Sequence, residues 1–220
     1  MNDINDTLRS SLDEEKDLVL IGYELEYTDL SDDSLDSIIF SYFTDKNTDY
    51  VMFKNPDNQI EILKKMIAAG LDFNHRPAKS HSFTYGHHVI RHSHASTMKF
   101  ILDNGFDFNS YTQSEKTNGP SWHSLELIHF NYFASKNDKP EILQIIRNQL
   151  DSGIDLSKSS PTDLFTKLNR NANKDGWDEL MTLYNSNQYM IKYFADNIGV
   201  IIENDLTGLF PQEARDIFIF

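Results

Sequence analysis

Six of the eight histidines fall between residues 73 and 102: His75, His81, His87, His88, His92 and His94. Imidazole serves as general base, proton shuttle and metal ligand near neutral pH, so any chemistry is sought here first. His88 and His92 stand four apart, the spacing that places two ligands on one helix face. The rest of a zinc site is missing. The Glu of a His-Glu-x-x-His motif is absent, and no carboxylate occurs anywhere from 73 to 102. The chain also lacks cysteine, which removes disulfides, thiolate ligands and a cysteine nucleophile together. Glu24 and Glu26 alternate with Tyr23, Leu25 and Tyr27, the period-two pattern of an extended edge with solvated acids rather than of a glycosidase pair. Neither a Gly-rich phosphate loop nor a Gly-x-Ser-x-Gly elbow occurs. The expectation is a non-enzyme with no catalytic residue, no resident metal and no cofactor. The histidine cluster keeps one alternative open, a metal-responsive regulator.

The elements that carry these residues repeat. EILKKMIAAGLDFN at 61–74 recurs as STMKFILDNGFDFN at 96–109, and again, with a longer helix, as EILQIIRNQLDSGIDLS at 141–157. In each, apolar residues at three- and four-residue spacing (Ile62, Met66, Ile67; Met98, Ile101, Leu102) mark one helix face. A glycine follows (Gly70, Gly105, Gly153) and supplies the left-handed residue that stops a helix at little cost. The next apolar pair brackets an Asp (Leu71 and Phe73, Phe106 and Phe108), so the chain leaves extended with both apolar side chains turned inward, and Asn74 and Asn109 open a loop. A second phrase recurs in the same order, SLDSIIFSYF at 34–43 and SLELIHFNYF at 124–133. Ser34 with Asp36 behind it reads as a helix N-cap. Helix pairs are predicted at 34–44 with 58–69, 86–93 with 95–104, 124–134 with 140–152, and 162–170 with 177–186, with Gly176 in the last turn and Asn187 as a left-handed cap.

This unit resembles the ankyrin repeat. The window 84–109, TYGHHVIRHSHASTMKFILDNGFDFN, aligns without a gap to the family's Thr-Pro-Leu-His helix start, Gly-His turn, second helix and Gly-Ala-Asp-Val-Asn ending, with Thr84, His87, His94, Gly105, Asp107 and Asn109 at matching positions. Tyr85 and Gly86 stand where the family has Pro-Leu, Val89 and Ile90 where it has two alanines, and Ser93 where it has the turn glycine. The resemblance implies an all-α solenoid of about four helix-turn-helix repeats over 34–187. An acidic N-terminal cap at 1–33 and a C-terminal cap at 188–220 would shield the end repeats within a single domain. A HEAT- or TPR-like α-solenoid is the structural alternative. The resemblance also implies that His87 hydrogen-bonds Thr84 and nearby backbone, that His94 is the turn histidine, and that partners meet the loop tips and inner helices. Arg91 and His92 follow the core positions Val89 and Ile90, and Tyr111 and Trp122 sit in the long loop 110–122. Arg and aromatic side chains are the types that anchor interfaces, so these four are the candidate partner-binding residues.

Charge suggests the kind of partner. The formal net charge is −14, and residues 1–36 hold twelve acids against Arg9 and Lys16, whereas 73–102 holds four bases and no acid. A net basic footprint for nucleic acid is lacking, and no apolar run reaches the roughly 18 residues of a membrane span. The acidic start lacks the apolar core of a secretory signal, so a cytoplasmic protein is expected. An acidic flank speeds encounter with a basic protein, and Asp32 and Asp33 join the candidates for that role. The specific expectation is a bacterial immunity or antidote protein that binds and inhibits a secreted toxin, such as a basic nuclease. A host-directed ankyrin-type effector is the other alternative.

Overall fold

The computed structural model describes residues 56–68, 71–76, 82–113 and 121–204, together with residues 206 and 209. The acidic segment 1–33, including Glu24, Glu26, Asp32 and Asp33, the phrase at 34–43, Gly70, His81 and residues 210–220 lie outside the described residues. So do the N-cap at Ser34, the helix at 34–44 and most of the C-terminal cap's last stretch. The described part is all-α: α1 Pro56–Ala68, α2 Tyr85–His92, α3 Ala95–Asp103, α4 Ser124–Ala134, α5 Lys139–Gly153, α6 Pro161–Asn169, α7 Trp177–Ser186, α8 Gln188–Asp196 and α9 Ile198–Glu203. No strand occurs among the described residues. One antiparallel bridge joins Tyr111 to His123. No helix there is long and apolar enough to cross a membrane.

Four of the nine described helices begin where a side chain takes up a free N–H group, and three of these, α2, α4 and α6, do so with different chemistries. At α2 the Thr84 hydroxyl accepts from His87 N–H (3.2 Å) while His87 Nδ1 accepts from Thr84 N–H (3.1 Å). At α4 His123 Nδ1 accepts from Leu125 N–H (2.9 Å) and Glu126 Oε1 from His123 N–H (3.1 Å). At α6 Ser160 Oγ accepts from Asp163 N–H (3.3 Å), with Pro161 in the first turn. The first two are reciprocal capping boxes. The ends are equally explicit. Gly105 has φ +93° and Gly153 φ +101°. After α3, Phe106 N–H donates to Ile101 O (3.0 Å) and Gly105 N–H to Leu102 O (3.3 Å), a Schellman closure. Asn187 corrects the sequence expectation. Its φ is −91°, not left-handed, because its side chain caps the next helix, Oδ1 accepting from Tyr189 and Met190 N–H. With no residue between α7 and α8 other than Asn187, a starting cap serves better there than a stop.

Two layers follow. α2, α4 and α6 pack side by side in one, and α1, α3 and α5 in the other, with α2 on α3 and α4 on α5 joining them. α8 packs on α7 and α9 on α6 at the C-terminal end. α4, covered by α2, α5 and α6, is buried from Ser124 to His129. Leu63, Val89, Ile90, Met98, Ile101, Leu125, Ile128, Ile142 and Leu164 are core residues of successive units, and Phe73, Phe106, Phe108, Ile154 and Leu156 turn inward as the bracketed-Asp phrase predicts.

The asparagine of that phrase does more than open a loop. Asn74 Nδ2 donates to Gly105 O (2.9 Å) while its Oδ1 accepts from Asp107 N–H (2.8 Å). One unit on, Asn109 Nδ2 donates to Gly153 O (3.1 Å) and its Oδ1 accepts from Asp155 N–H (2.8 Å). Asp72, Asp107 and Asp155 each fold back on the N–H two residues ahead, at 2.8 to 2.9 Å, the Asx turn that holds the loop for its neighbour. Each loop thus satisfies backbone groups of the next one, which fixes the register between them.

Candidate functional site

The solvent side of the α2–α4–α6 layer carries a row of alternating rings and cations. Arg91, in the last turn of α2, has its guanidinium 5.7 Å from the Phe83 ring centroid and 5.5 Å from that of Phe130 on α4. Phe130 is 43% exposed, the most exposed Phe, Tyr or Trp side chain among the described residues. It stacks on Trp122 at 5.7 Å and 26°. Lys167 of α6 sits 4.3 Å over the Trp122 ring. Further along α4, Phe133 stacks on Trp177 at 6.4 Å, with Lys174 5.9 Å from the Phe133 ring. Rings this close to a guanidinium attract it through cation–π interaction.

Below the row the groups are buried, and several of them pair with one another. Glu126 is 1% exposed and pairs with Lys167 at 2.5 Å. Burial pushes its carboxyl up, partly offset by Lys167 and the His123 N–H. His129, also buried, meets the Tyr184 hydroxyl, and burial holds its imidazole down at about 3. His87 Nε2 reaches Ser110 Oγ at 3.0 Å. Because Nδ1 accepts from Thr84, Nε2 carries the proton and donates. Burial brings His87 down to about 4, His88 to about 3 and His123 to about 3. These histidines are neutral inside the fold at pH 7.

The candidate residues are distributed unevenly. Arg91 and Trp122 come together through Phe130. His92 is half-buried and neutral, its pKa lowered to about 4 by burial and by Arg91, and it lines a 310 Å³ cleft with Arg91, Ser93, Asn131 and Lys136. Tyr111 stands apart. Its hydroxyl donates to Asp155 O (2.6 Å) and accepts from Lys158 N–H (3.3 Å), and its ring meets His123 edge-on at 4.9 Å. It ties two loops together. Asp32 and Asp33 lie outside the described residues. His94 Nδ1 meets Asp138 Oδ2 at 2.9 Å across to the next unit. No group of three His, Asp or Glu side chains among the described residues is arranged to hold a metal ion.

Sequence reasoning missed Phe83, Phe130 and Lys167. A signal for Phe130 existed. SLELIHFNYFA has almost no polar face, so an all-round apolar helix of this kind leaves an apolar side chain such as Phe130 in solvent unless it is wholly enclosed. Searches against family models, curated proteins and solved structures found no match to this chain.

Proposed function

We propose that this chain is a non-catalytic protein-binding module, an ankyrin-like solenoid of about four repeats that grips its partner on the α2–α4–α6 face. The observation that carries the reading is Arg91 held between Phe83 and Phe130, with Phe130 exposed on top of Trp122. A surface already furnished with ordered aromatic and Arg side chains loses little further freedom on binding. The recurrent Asn-to-next-loop bonds and the paired helices support the repeat reading. The particular form of the proposal is an antidote protein that occupies a basic toxin. The acids of residues 13–36 attract the partner at long range, and the ring-and-cation row anchors it at short range.

The test is kinetic, on the protein that co-purifies with the chain from its native cell. Asp32→Lys with Asp33→Lys slows association and flattens its salt dependence, with the off-rate nearly constant. Arg91→Ala or Trp122→Ala raises the off-rate about tenfold or more while circular dichroism stays unchanged. Wild-type kinetics in both sets would remove the reading.

A further inference from the structure

Among the described residues the cations of this face outnumber the acids that pair with them. Among the described residues no carboxylate pairs with Arg91, Lys136 or Lys174, whereas three acids near this face are engaged elsewhere: Glu126 by Lys167, Asp138 by His94 and Asp175 by Lys139. Lys136 shares the cleft with Arg91, His92 beside them is neutral, and the sequence from 73 to 102 contributes no acid at all. The Arg91 guanidinium lies 5.7 and 5.5 Å from the Phe83 and Phe130 ring centroids, and a planar guanidinium fork takes a carboxylate on two oxygens. Immediately beside it, the exposed Phe130 ring, backed by Trp122, offers apolar surface. A pre-set fork next to an apolar platform matches an acidic residue next to an apolar one.

We propose that the α2–α4–α6 face takes an extended acidic segment of the partner protein, with a carboxylate on the Arg91 guanidinium and an apolar side chain against Phe130 and Trp122. This rests on the protein-binding reading above and adds the chemistry of what is bound. Helix axes about 10 Å apart put α2 and α6 about 20 Å from one another, which roughly six extended residues span. The segment therefore passes from Arg91 and Lys136 over Phe130 toward Lys174. A basic partner satisfies both surfaces when one such acidic stretch lies within its otherwise basic surface.

Random peptides displayed on phage, panned on the full-length chain, test this directly. The recovered peptides carry Asp or Glu beside an apolar residue, and synthetic versions lose at least about tenfold in affinity on Arg91→Ala, on Arg91→Lys and on Phe130→Ala, with melting temperatures near that of the parent. A loss with Arg91→Lys separates recognition by the planar fork from simple charge. Peptides without acids that depend on Phe130 but not on Arg91 would overturn the acidic-segment proposal and leave the binding face standing. No recovered peptide, or peptides indifferent to all three substitutions, would overturn both. Competition by a polythymidine oligonucleotide through Arg91 would make the anion a phosphate and overturn the proposal in favour of single-stranded nucleic acid.

Discussion

Gly86→Leu is expected to unfold most of the chain at room temperature, and Phe106→Ala in the same chain to restore a large part of the loss. A Cβ at Gly86 would lie 2.1, 2.3 and 2.8 Å from three ring carbons of Phe106. Phe106 is 5% exposed and cannot swing into solvent without opening the core. Replacing a helical glycine by a residue with a side chain gains up to about 1 kcal/mol in helix propensity. Overpacking costs about 1–3 kcal/mol for a single methyl-sized intrusion, and a leucine here adds three more carbons in the same direction. Gly86→Ala should thus lose on the order of 2 kcal/mol and Gly86→Leu more than about 4, against a usual total of 5–15. Phe106→Ala alone costs about 3–5 kcal/mol through the cavity it leaves. In the double variant the leucine fills that space, so urea unfolding should give a coupling of at least about 2 kcal/mol. Additive losses would show that the two side chains do not compete for one volume.

The same contact accounts for the glycine at 86, whose side-chain space the Phe106 ring fills.

Acid should unfold the protein earlier than its carboxylates would. His87, His88, His123 and His129 titrate near 6.5 when unfolded and at about 3 to 4 when folded, burial being the leading cause in each. The folded pKa values are depressed, so the unfolded chain binds these protons first. Their contribution is complete above pH 6.5 and is lost as pH falls toward 4. At pH 5 each group removes up to about 2 kcal/mol, and the four together on the order of 4–8 after relaxation and water entry. That is comparable with the whole stability of a domain. Glu126 acts with the opposite sign, since its raised pKa favours the folded state as pH falls, but it is one group against four. Denaturant melts at successive pH values should show stability falling steeply between pH 6.5 and 5, and His129→Phe with Tyr184→Phe should shallow the slope. A flat profile down to pH 5 would mean that these imidazoles are protonated without cost, contrary to their burial.

The local grammar of the chain was legible because it depends on near neighbours. Helices expected at 86–93, 95–104, 124–134, 140–152, 162–170 and 177–186 lie within a residue or two of those observed, and Gly105 and Gly153 are left-handed as their positions require. What stayed hidden depends on contacts far apart in sequence. Asn109 reaches Gly153 across 44 residues and Asn131 caps α2 from α4 across 41, donating to Ile90 O at 3.1 Å, and no local pattern announces either. Arg91 and Trp122 could be nominated by residue type, but their junction through Phe130 needs the register between helices. Tyr111 was nominated on the same grounds, and its hydroxyl is spent on Asp155 and Lys158.

The most direct test of the binding face is site-specific photocrosslinking in the native cell, with benzoylphenylalanine at position 130 and, as control, at the exposed position 144 on α5. The account predicts one discrete protein adduct from position 130 that disappears with Arg91→Ala, and none from position 144. Equal adducts from the two positions, or an adduct at position 130 that survives Arg91→Ala unchanged, would contradict it.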